Sequence, residues 1–119
     1  MPAGRKPVVR CTRSEWCAIK NRIHACCPPP EGYSWSLIRS DGVPSDRRGD
    51  CERHESRRPG HRGKIVVRVA TGMSESETVD VALHEVAHAY DAWCHHGWQD
   101  DHGDTFWIWL GRVYRRYWS

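Results

Sequence analysis

The sequence predicts an α+β domain: an N-terminal helix, a small antiparallel or mixed sheet, a long central helix and an aromatic C-terminal helix. Three observations predict it. Lys64-Ile65-Val66-Val67-Arg68-Val69-Ala70 is a β-branched run with strand character throughout. Residues 74–94 follow at once, with apolar residues at helical spacing and no internal Gly or Pro. A second helical stretch, dense in Trp and Tyr, closes the chain over Thr105 to Trp118. At 119 residues the chain supports one domain around one core.

Taken in order, residues 1–9 read as a flexible basic tail and residues 10–119 as the folded domain. Thr12 or Ser14 can cap a helix running to about Ala25, with Trp16, Ile19 and Ile23 as its apolar stripe. Cys26-Cys27-Pro28-Pro29-Pro30 ends it, because proline cannot continue a helix. Tyr33, Trp35 and Leu37 alternate with Ser34 and Ser36, the pattern of a half-buried strand, and Ser40-Asp41-Gly42 marks a turn. Residues 44–63 are polar and rich in arginine, including Arg47, Arg48, Arg53, Arg57, Arg58 and Arg62. They read as a mobile loop, with a phosphate-contacting arm for a nucleic-acid backbone as the sharper alternative. The strand at Lys64–Ala70 is expected at the edge of a cleft, where an extended substrate could add to it through main-chain hydrogen bonds.

Ser74 with Glu77 three residues later is a capping box for the central helix. Val81, Leu83, Val86, Ala87 and Tyr90 give that helix an apolar face, and Gly97 lies beyond an end near Cys94–His96. In the last helix Phe106, Trp109, Leu110, Val113 and Tyr117 form one stripe and Trp107, Tyr114 and Trp118 another; both read as core filling, with exposed aromatic surface that lines a substrate groove or marks a partner site as the alternative. Arg112, Arg115 and Arg116 suit the helix C-terminal dipole.

Composition narrows the class. Only 39% of residues are hydrophobic, and 7 Trp and 4 Tyr compensate with large buried areas. A net charge of +3 does not by itself indicate nucleic acid. No apolar run approaches membrane-spanning length, so no membrane partner is expected. The start lacks an apolar signal region, so a cytoplasmic protein is expected. There are 6 Cys but no CxxC, which leaves a ribbon-type zinc site poorly supported. Reduced, buried thiols are expected, ahead of a second zinc gathered from Cys11, Cys17, His24, Cys26, Cys27, Cys51 and His54.

The chemistry lies in His84-Glu85-Val86-Ala87-His88. Residues four apart on a helix share a face, so two imidazoles can hold one zinc ion while the intervening Glu reaches a water. A third ligand must come from elsewhere. No Glu follows Glu85, which removes the layout in which a later Glu completes the site. The HExxHxxGxxH layout also fails, because Asp91 and Cys94 stand where Gly and His should be. Asp91, His95, His96 and His102 remain. His95 lies two helical turns beyond His88, too far to share an ion with it on a rigid helix. His102 follows a short turn that lets the chain fold back, and the residues favour it. Asp91 shares the His88 face and can ligate or accept a ligand N–H.

His84-Glu85-Val86-Ala87-His88-Ala89 followed by His102-Gly103-Asp104-Thr105-Phe106 resembles the SprT-like zinc metallopeptidase family, which reads HExxHA and then HGxxF. The match spans Lys64 to Ser119. The resemblance implies a minimal zincin-like domain with His84, His88 and His102 on zinc and Glu85 as the catalytic residue. It also implies a catalytic core without the zinc ribbon that larger members carry after it.

The expectation is therefore a zinc peptidase acting on a protein or peptide substrate. One Zn²⁺ is held by three His, and Glu85 serves as general base. Tyr90, His95, His96 and Tyr114 are candidates to stabilise the oxyanion. The alternatives are a zinc-stabilised nucleic-acid- or protein-binding module without catalysis, and a regulatory peptidase with a single protein target.

Overall fold

The computed structural model describes residues 9–43, 47–94 and 103–119. Across these it is an α+β fold in the order α1 (Arg13–Cys26), β1 (Tyr33–Ser40), β2 (Gly49–Glu55), β3 (Gly63–Ala70), α2 (Glu75–Cys94) and α3 (Asp104–Trp118). All of the expected N-terminal tail except Val9 lies outside the described residues.

Helix α1 starts where a capping box stops the chain from fraying. The Glu15 N–H donates to Thr12 Oγ1 at 3.1 Å, and the Thr12 N–H donates to Glu15 Oε1 at 2.8 Å. Trp16, Ile19 and Ile23 are buried, as their spacing predicts. The Cys27 N–H makes the last turn's bond to the Ile23 carbonyl, and the prolines then lead the chain away.

The sheet is mixed, in the order β1-β3-β2. Strands β1 and β3 run parallel, from Tyr33 opposite Gly63 to Ser40 opposite Ala70. Strands β2 and β3 run antiparallel, from Gly49 opposite Val69 to Glu55 opposite Gly63. Tyr33, Trp35 and Leu37 are buried on one face of β1, as alternation predicts. Strand β3 reads differently because it is central: Ile65, Val67 and Val69 are fully buried, and Val66 on the other face is only 7% exposed. This corrects the expectation that Lys64–Ala70 borders a cleft. Both of its edges are taken, so no substrate strand can add to it.

The loop expected over residues 44–63 is also corrected, because Gly49–Glu55 form β2. This strand covers the core only at its start, and its outer residues are charged, so no apolar alternation announces it. Its partners lie across the ladder. Arg68 on β3 reaches Asp50 at 2.8 Å and Glu52 at 2.9 Å. The chain enters β3 at Gly63, whose φ of +148° favours glycine.

Helix α2 is capped by Ser74, whose Oγ accepts from the Glu77 N–H at 3.2 Å and donates to Glu77 Oε1 at 3.1 Å. Val79, Ala82, Leu83, Val86, Ala87 and Ala89 are buried against the sheet and the other two helices. From α3 come Phe106, Val113 and Tyr117, all buried. The second aromatic stripe divides: Tyr114 is half-buried and packs against the core, whereas Trp107 is 57% and Trp118 61% exposed. The arginines of α3 do more than complement its dipole. Arg112 lies 5.0 Å from the Trp109 ring centre and Arg116 lies 5.8 Å from that of Tyr90. Arg22 of α1 ties the terminal helix down by donating to the Tyr117 carbonyl at 2.6 Å.

Cys11, Cys17, Cys26, Cys27 and Cys51 are free thiols. Among the described residues they do not gather with His24 and His54 into a metal-holding group. Among the described residues no helix is long and apolar enough to cross a membrane.

A Cβ on Gly63 would stand 2.0 Å from the His54 carbonyl oxygen, a backbone atom that cannot step aside. Gly63→Ala is therefore expected to lower the unfolding free energy by about 2 kcal/mol or more. Urea denaturation measures this, and an unchanged midpoint would contradict the β2–β3 pairing.

Candidate metal centre

His84 and His88 lie one turn apart on α2, on the side that faces the start of α3. Their Nε2 atoms are 3.1 Å apart, and their rings meet edge-on with centroids 4.8 Å apart. Two nitrogens bound to one tetrahedral zinc at the usual bond length lie about 3.3 Å apart. The pair is thus near the spacing that a shared ion requires. A neutral pair can also hold that spacing through one N–H···N bond, so the donor set fits zinc without demanding it.

Phe106 fixes the two rings. It is fully buried, and its ring centre lies 4.9 Å from that of His84 and 4.4 Å from that of His88. It stands three residues into α3, after the extended N-cap Gly103. The start of α3 therefore lies beside the imidazole pair, and the two aromatic contacts restrict how the imidazoles can turn.

Glu85 completes the cluster. A ligand atom from each of His84, Glu85 and His88 lies within 4.8 Å of the others. The residue is only 9% exposed. Burial, with the Asp50 carboxylate adding to it and Arg47 opposing, pushes its carboxyl up to about 7. The same burial, with Glu85 as the largest charge contribution, holds the neighbouring Cys51 thiol protonated well above its ordinary range.

Gly49 permits this closeness. A Cβ there would stand 2.7 Å from Val81 Cγ1, 2.8 Å from the Arg68 carbonyl oxygen and 3.3 Å from Glu85 Cγ. Its bare backbone lets β2 close onto α2. Beside it opens a cavity of about 370 Å³, lined by Arg48, Gly49, Asp80, Val81, His84, Glu85, Leu110 and Tyr114. The cleft therefore runs between the start of β2, the first half of α2 and the middle of α3.

His84, Glu85 and His88 come together as the sequence predicts. His102, like His95 and His96, lies outside the described residues. Asp91 is buried on α2. Tyr90 faces away from the cleft: its O–H donates to the Pro28 carbonyl, and its ring stacks on Trp109 with centroids 5.1 Å apart. Of the oxyanion candidates, Tyr114 lines the cavity. Sequence reasoning missed Arg48, Gly49 and Asp80. Asp80 had a signal, since four residues before His84 on a helix means the same face. The other two are brought in by a strand that the sequence did not reveal.

Comparison of the chain with protein-family models, with curated proteins and with solved structures finds no match.

Phe106→Ala would leave a cavity against both imidazoles. It is expected to cost about 3–5 kcal/mol in unfolding free energy and to loosen the imidazole pair as the rings lose their wall. Chemical denaturation measures the first effect and histidine side-chain NMR the second; unchanged His84 and His88 ring signals would show that Phe106 does not orient the rings.

Proposed function

We propose that the chain is a zinc-dependent peptidase with a minimal zincin-like, SprT-like core. The observation that carries the reading is the 3.1 Å separation of the His84 and His88 Nε2 atoms, with the Glu85 carboxyl buried beside them. His84 and His88 supply two ligands. His102 is proposed as the third. The resemblance to HGxxF supports it, as does the packing of Phe106, four residues later, on both rings.

A bound zinc ion would supply Lewis acidity, polarising the scissile carbonyl and making water a nucleophile at neutral pH. The residues do the proton work. Glu85, buried beside the imidazole pair, takes the proton of the attacking water and delivers it to the leaving amine. Tyr114 lines the same cavity, with its hydroxyl proton directed to Asp80 Oδ1 at 2.7 Å. Gly49, at the start of β2, borders the same cavity, and among the described residues the outer edge of β2 has no strand partner. An extended protein or peptide substrate can add there through its main chain. Free thiols at the described cysteines fit a reducing, cytoplasmic setting.

Glu85→Gln tests the proton role. The variant is expected to keep its zinc while peptide hydrolysis falls by about 10²–10⁴-fold, read from metal analysis and cleavage of a fluorogenic peptide. Undiminished turnover in this variant would remove Glu85 as the general base.

A further inference from the structure

We propose that the cavity beside His84 and Glu85 selects a cationic side chain, Lys or Arg, next to the bond that is cut, and that Asp80 recognises its charge. The inference rests on the peptidase reading above and names its substrate class.

Two carboxylates line the cavity, and Asp80 is the one that stands outside the His84-Glu85-His88 cluster. Arg48 is engaged at the rim, with its guanidinium 3.4 Å from Glu77 Oε2. Asp80 makes no salt bridge among the described residues, and its Oδ1 accepts a hydrogen bond from the Tyr114 hydroxyl at 2.7 Å. That donor is neutral, so it positions the carboxylate between α2 and α3 and leaves its charge in place. Asp80 stands one helical turn before His84, so the carboxylate lies along the helix from the reacting centre. Val81 and Leu110 give the intervening wall an apolar surface. An aliphatic stem ending in a cation matches that sequence of surfaces. An acidic side chain would meet Asp80 and Glu85 together.

Asp80 is exposed, so solvent limits the gain to about fivefold in affinity, and added salt reduces it. The test uses N-acetyl-arginine hydroxamate and N-acetyl-citrulline hydroxamate on the full zinc-loaded chain, by titration calorimetry at low salt. Both carry the same metal-chelating head and nearly the same shape, and only the first is cationic. The arginine compound is expected to bind about fivefold more tightly. Asp80→Asn, which still accepts from Tyr114, is expected to bring the two affinities together with zinc content unchanged. Equal affinities in the wild type overturn the inference while leaving the metal site standing, as does a preference that persists in Asp80→Asn. If that variant fails to fold, the wild-type comparison alone decides. Failure of both compounds to bind zinc-loaded protein would overturn the peptidase reading and the inference with it.

Discussion

Two imidazoles held 3.1 Å apart on the most buried helix of the domain set the terms for everything around them. A helix in that position would ordinarily carry apolar residues all round. Here α2 gives one stripe to the sheet and the other helices through Ala82, Leu83, Val86 and Ala89, and keeps His84, Glu85 and His88 on a side that must be both walled and accessible. Phe106 supplies the wall from α3. The start of β2 supplies the opposite rim, and does so only because position 49 has no side chain. Access remains between them, along the line from Glu85 to Asp80.

The same arrangement explains why a polar strand sits at this edge of the sheet. An apolar β2 would offer a sticky free edge. The charged β2 is held instead by the β3 main chain and by the Arg68 contacts to Asp50 and Glu52. Its Asp50 also reaches the site, raising the Glu85 carboxyl while Arg47, just ahead of the strand, opposes it. Asp50 therefore both helps hold the sheet edge and tunes the carboxyl.

What could be read from the sequence was local. The Thr12–Glu15 and Ser74–Glu77 caps, the Trp16-Ile19-Ile23 stripe and the alternation of Tyr33, Trp35 and Leu37 each arise within a few residues, and each appears in the fold. The His84–His88 pair is local in the same sense, being one helical turn. What could not be read was pairing at a distance. Lys64–Ala70 announced a strand, yet its central place depends on β2, whose partner Arg68 stands 18 residues beyond Asp50. Gly49 and Arg48 enter the cleft by that same pairing, so the rim of the site was hidden along with the strand. Whether Trp107 and Trp118 fill the core or stand exposed could not be read for a related reason. Aromatic residues at helical spacing show which side of a helix they occupy and leave open whether anything packs there.

Zinc content per chain tests the central claim most directly. Elemental analysis after chelator-free purification should give one zinc in the wild type and none in a His84→Ala/His88→Ala variant. Absence of zinc from the wild type would contradict the account, leaving the paired imidazoles as an N–H···N contact. Zinc retained in the variant would contradict it equally and place the metal elsewhere in the chain.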